Sequence, residues 1–108
     1  MENFMLSKPF AIQDGNEITL FQLDFDNLST ADFRQIKKLE AQISDAVNVD
    51  ATDLAKPKNL SFEFQLASGF LAAVKGTSGL LVSDFTRLPM ADALNLAQRA
   101  SFFWLGVV

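Results

Sequence analysis

Histidine, cysteine and tyrosine are all missing from this chain. Without cysteine there is no disulfide framework and no thiolate nucleophile, and the redox compartment is left open. Without histidine the commonest general base is gone, and the standard structural zinc sets cannot be assembled. No G-x-x-x-x-G-K-[ST] motif occurs, and Gly76-Thr77-Ser78-Gly79 lacks the lysine and the preceding strand of a phosphate loop, so it reads as a helix break. Glu63, Gln65 and Lys75 interrupt the richest apolar region before it reaches the ~18 residues that a membrane span needs. Met1-Glu2-Asn3-Phe4 has neither the basic nor the long apolar part of a signal peptide. These absences lead to the expectation of a soluble intracellular protein that is not an enzyme, has no cofactor or metal site and does not enter a membrane.

Charge points the same way. Residues 1–54 carry ten acids and four bases, and residues 55–108 carry three acids and five bases, so the halves stand at −6 and +2. A nucleic-acid binder needs a concentrated basic face, and the second half is only mildly positive. Asp24 and Asp26, two apart on an expected strand, share one face and are the best candidates for weak cation binding. With no third ligand nearby and no EF-hand glycine, a solvated acidic edge is the better reading.

What the chain has in excess is phenylalanine, eleven of 108 residues, with a single Trp104. Such rings have no polar handle, so they are buried or meet something equally apolar. Apolar residues make up 49% and charged residues 20%, which places the chain among globular proteins, and its length suits one domain over residues 1–108. Phe10 and Ile12 alternate with Ala11 and Gln13, Asp14-Gly15-Asn16 supplies a turn, and an apolar run from Ile18 to Phe25 follows. Residues 9–25 therefore predict a β-hairpin with Pro9 at a strand start or edge. Phe33, Ile36, Leu39, Ile43 and Val47 recur at helical spacing behind Asn27-Leu28-Ser29-Thr30-Ala31-Asp32, whose hydroxyls and carboxylate suit a helix start, predicting an amphipathic helix over about 30–46 whose apolar stripe covers the hairpin. Residues 47–60 read as a connector, with one helical turn near Asp50 to Leu54.

A second helix, 61–75, is expected with Ser61 at its start, Leu60 as a staple and Gly76 closing it. Its apolar arc is so wide that it is either central to the core or shared with another subunit. Residues 80–87 predict a short helix or turn. Pro89 opens a last helix over 89–104, with Leu94, Ala97, Ser101 and Trp104 or Leu105 on its packed face and Met90, Ala93 and Ala100 beside them. The fold class is then α+β, an N-terminal β-hairpin packed against a bundle of three to four α-helices. The apolar ending, Phe102-Phe103-Trp104-Leu105-Gly106-Val107-Val108, docks within the chain or onto another chain.

This order of elements resembles the tail assembly chaperones of long-tailed bacteriophages, the group that includes the Mu-type E protein. The resemblance runs over roughly residues 6–104 and rests on Pro9 and Phe10, Asp14-Gly15, Ile18 and Leu20, Leu71, Leu80, Leu88, Asp92, and Phe102 or Phe103. The linker from Val47 to Asn59 follows no matching pattern. The resemblance implies a protein that coats the tape measure protein before the tail tube polymerises, self-associates as a homo-oligomer, acts in the host cytoplasm and is not in the mature virion. Coating a long helical partner requires apolar grooves. The candidate partner-binding residues are Phe62, Phe64, Phe70, Leu81, Phe85, Phe102, Phe103 and Trp104, each with ordinary core packing as its alternative. Two other functions fit the same composition: a small structural tail or connector protein retained in the virion, and an unrelated regulatory module that binds protein. Asp92 falls in the first turn after Pro89, where a carboxylate suits the helix dipole, and is expected to be structural.

Overall fold

A computed structural model describes residues 2–13, 15–47 and 61–107 of the chain. The expected turn near Asp50 to Leu54 and the Leu60 staple lie outside the described residues. An antiparallel hairpin, β1 (Glu2–Ala11) and β2 (Glu17–Leu23), precedes three helices, α1 (Thr30–Val47), α2 (Phe62–Gly76) and α3 (Met90–Val107), which is the expected α+β class. At the hairpin turn Gly15 has φ 95° and donates its N–H to the Ile12 carbonyl at 3.0 Å, a conformation that favours glycine.

β1 begins at Glu2 rather than at Pro9, so the hairpin is longer than the sequence pattern suggests. Met5 pairs with Leu20 and Phe10 with Ile18, which leaves residues 6–9 opposite Thr19 alone. This wide bulge absorbs Pro9, whose missing N–H would otherwise break the ladder, and it hides the alternation that continues back to Phe4. Beyond the bulge Phe4 pairs directly with Phe21, and their rings stack 6.2 Å apart. β2 ends earlier than expected, at Leu23. The Asp24 N–H donates to the Ala72 carbonyl of α2 at 3.1 Å, and residues Phe25–Asn27 form a 3-10 turn. Asp24 and Asp26 are thus not on a strand face, and among the described residues no three acidic side chains converge as a metal site.

Each helix start follows its local chemistry. Asp32 reaches back to Ser29, accepting its N–H at 2.8 Å and its hydroxyl at 3.1 Å, which satisfies a donor the helix cannot. Ser61 accepts the Phe64 N–H at 3.0 Å and starts α2. Between α2 and α3 the chain forms a 3-10 helix, Val82–Arg87, where a short helix or turn is expected.

α2 is the centre of the molecule. All of residues 66–73 are buried, and β2, α1, α3 and both 3-10 segments pack around it. α1 lies on α2 and not on the hairpin, contrary to the sequence expectation, because the hairpin occupies a different side of the same central helix. Ile36, Leu39 and Ile43 of the expected α1 stripe are buried, while Phe33 is left 53% exposed. On α3 the packed face is Ala93, Leu96, Ala97 and Ala100, with Leu94 and Leu105 outside it. Small residues decide this: a Cβ on Gly69 would lie 3.1 Å from both Cγ and the carbonyl oxygen of Leu96, so α3 approaches α2 as closely as backbone allows.

Buried polar groups tie the layers together. Asp92, 2% exposed, accepts the Ser7 N–H and hydroxyl, both at 2.9 Å, and so fastens the β1 bulge to the start of α3. Asp84 is also fully enclosed; it accepts the Leu81 N–H at 2.9 Å and pairs with Arg87, which in turn donates to the Ala11 carbonyl. Thr77 Oγ1 accepts the Gln22 N–H at 2.9 Å, joining the end of α2 to β2.

Two measurements check this account. Gly69→Val should lower stability by about 1–3 kcal/mol in chemical denaturation, since the Leu96 carbonyl cannot rotate away from the new side chain. The Ser29 N–H, aided by the Lys75 ammonium 3.0 Å away and opposed by partial burial, holds the Asp32 carboxyl below its ordinary pKa of 3.8. A lowered folded-state pKa means that this stabilisation is complete above the ordinary value and is lost as pH falls through the folded one. Thermal melts of Asp32→Asn should therefore show a lower melting point at neutral pH and a shallower fall on the acid side than the parent.

Candidate interaction surface

The eight candidate side chains separate into four environments. Phe70 is fully buried, in edge contact with Phe21 at 5.9 Å and Phe85 at 5.2 Å, and presents no surface. Phe64 is buried as well. The wide apolar arc of α2 is thus accounted for mainly by the chain's own layers.

Phe62 and Phe85 come together in an apolar groove of about 340 Å³, lined also by Ile43, Leu66, Leu88 and Met90. It draws on α1, α2, the 3-10 helix and the start of α3. Phe62 is 40% exposed and Met90 68%, so the walls include large apolar side chains that the fold leaves in water. Phe85 is the floor, half-buried and held against Phe70. Sequence reasoning singled out Phe62 and Phe85 but missed Ile43, Leu66, Leu88 and Met90. The available signal was Met90 itself, a large apolar residue in the first turn after Pro89, on the same side of the helix as Ala93 and Ala97 but at its very start.

The C-terminal run divides residue by residue. Phe103 stacks on Phe25 at 4.7 Å, and Trp104 lies 5.6 Å from Phe64 while its indole N–H donates to Ser68 Oγ at 3.0 Å. The Ser68 hydroxyl donates to the Gln65 carbonyl at 3.0 Å, so this buried polar group is fully used. Phe102 instead projects, 56% exposed, over a more polar cleft of about 440 Å³ that includes Glu2, Asp24, Asp26 and Arg99. Leu81 is exposed at the start of the 3-10 helix and belongs to neither recess. The arrangement offers two shaped recesses, an apolar one without a charged residue in its lining and a polar one bordered by Glu2, Asp24, Asp26 and Arg99. Among the described residues no helix is long and apolar enough to cross a membrane.

Fold and surface together define an α+β unit in which a bulged hairpin and two helices enclose a central apolar helix. Comparison with protein-family models, with curated proteins and with solved structures gives no match.

The division of the C-terminal run is measurable. At low protein concentration, Trp104→Ala should reduce folding stability by about 2–3 kcal/mol, because it empties space against Phe64 and removes the hydrogen bond that the Ser68 hydroxyl accepts. Phe102→Ser should stay within about 0.5 kcal/mol of the parent.

Proposed function

We propose that this chain is a phage tail assembly chaperone, one that binds and coats the tape measure protein during tail morphogenesis by protein–protein contact, then departs before the virion matures. The observation that carries the reading is the apolar groove bounded by Phe62, Phe85 and Met90. Its exposed apolar rim suits the apolar side of an amphipathic helix, laid in so that every few residues an anchor enters. A long helical partner offers such a side repeatedly along its length, and many copies of a small chain can then line up on it. The sequence resemblance from Pro9 to Phe103 supports the same role, and the core position of Phe64 and Phe70 restricts it to the groove and its neighbourhood. The reading places the protein in the host cytoplasm. A tail or connector subunit retained in the particle is the alternative that fractionation separates.

The test is co-expression with a tape measure protein, which this reading expects to be encoded next to the chain as a long helical product. The two should co-purify, Phe62→Asp and Met90→Asp should each weaken that association about tenfold or more while leaving helicity intact, and the chain should be missing from purified virions. Stoichiometric presence in mature tails, or binding indifferent to both substitutions, would sink the proposal.

A further inference from the structure

Helical periodicity assigns Phe33 to the core stripe of α1, yet the fold leaves it 53% exposed, in an open surface with Arg34, Lys37 and Lys38. A second ring more than half exposed is Phe102, in the cleft with Asp24 and Asp26. A ladder of ring contacts, passing through the buried Phe64 and half-buried Trp104 and Phe103, joins the two places: Phe33 lies 6.3 Å from Phe64, Phe64 5.6 Å from Trp104, Trp104 5.0 Å from Phe103, and Phe103 4.7 Å from the buried Phe25 beneath the cleft. The surface at the Phe33 end is cationic, since Arg34, Lys37, Lys38 and Lys75 outnumber Asp32 and Glu40. The other end is anionic, since Glu2, Asp24 and Asp26 outnumber Arg99.

We infer that this surface is a two-fold interface with a second copy of the chain, in which Phe33 of each copy enters the cleft beside Phe102 of the other while Arg34 and Lys38 face Asp24 and Asp26. Charge complementarity selects the occupant. An acidic peptide or a phosphate surface would suit the cationic end but be repelled at the cleft, and a basic partner would meet the reverse problem. A copy of the same chain carries both ends on one surface. Laid antiparallel, it satisfies each end with the opposite one, which is the self-complementarity that a two-fold axis requires; laid parallel, it sets like charges together. The inference deepens the self-association in the proposed function but does not depend on the tape measure protein, and none of these residues lines the groove around Phe62 and Met90.

Sedimentation velocity of the full chain alone, from about 1 to 100 µM, reads the outcome. A monomer–dimer equilibrium without larger species is expected, weakening toward about 1 M salt as the end charges are screened. Arg34→Glu and Asp26→Lys should each weaken dimerisation about tenfold or more, and Phe33→Ser should weaken it with the charges intact. Mixing the Arg34→Glu and Asp26→Lys chains should restore the dimer, because the two reversed charges then face each other and the two native ones do likewise. Circular dichroism verifies folding; Lys38→Glu replaces Arg34→Glu, and Asp24→Lys replaces Asp26→Lys, if either fails that check. A monomer at about 100 µM in low salt, open-ended oligomers, indifference to both reversals, or no recovery on mixing would each overturn the inference. A dimer that behaves as described but does not bind the tape measure protein would refute the proposed function alone.

Discussion

A helix that is apolar on every side has to be covered on every side, and α2 imposes that condition on the rest of the molecule. Its buried run, residues 66–73, includes Ala67, Ser68, Gly69, Ala72 and Ala73, so its neighbours approach the backbone itself rather than a layer of long side chains. Each surrounding element meets a different part of it. The hairpin supplies Phe21 against Phe70, α1 supplies Ile36, Leu39 and Ile43, and α3 supplies Leu96 over Gly69. A chain of this length has a high ratio of surface to volume, and concentrating burial around one element is an economical way to close a core.

Nondirectional burial alone would permit these layers to slide. Hydrogen bonds between distant parts of the sequence hold them in register: Ser7 to Asp92, Gln22 to Thr77, Arg87 to Ala11 and Trp104 to Ser68. Both enclosed carboxylates are committed as well, Asp92 to the distant Ser7 and Asp84 to Leu81 and to Arg87, which itself reaches Ala11. Their burial therefore has a structural cause, and a buried acid here is an anchor whose loss leaves donors unpaired.

The surface follows from the same geometry. Because α3 docks through its alanines, its larger apolar residues Met90, Leu94, Phe102 and Leu105 face outward. Met90 then joins Phe62 and Phe85 in the groove, and Phe102 joins the acidic cleft. A tight helix contact built from small side chains thus generates the exposed apolar area on which both proposals rest. Phe33 has a related origin, since α1 covers only one side of α2 and its first turns reach past the buried stripe.

Much of this was legible in the sequence. Periodicity located all three helices and the second strand, capping chemistry placed one helix start within residues 27–32 and another at Ser61, and the wide apolar arc of 61–75 identified a helix with two possible fates, core or shared interface. Which fate applied was a tertiary matter, because periodicity reports that a side chain is apolar and not what covers it. For the same reason Phe64 and Phe70 were candidates alongside Phe62, although only Phe62 reaches the groove. The length of β1 was obscured by Pro9, whose local rule is strict but whose accommodation by a bulge depends on the partner strand. The face by which α3 packs also ran against hydrophobicity: Leu94 is more apolar than Ala97, but the closeness that Gly69 permits favours the smaller side chain. The sequence by itself determined element type, helix starts and an apolar surplus in phenylalanine. Only the tertiary structure decided which rings remain exposed and which charges stand beside them, since burial is a property of assembled layers rather than of any one segment.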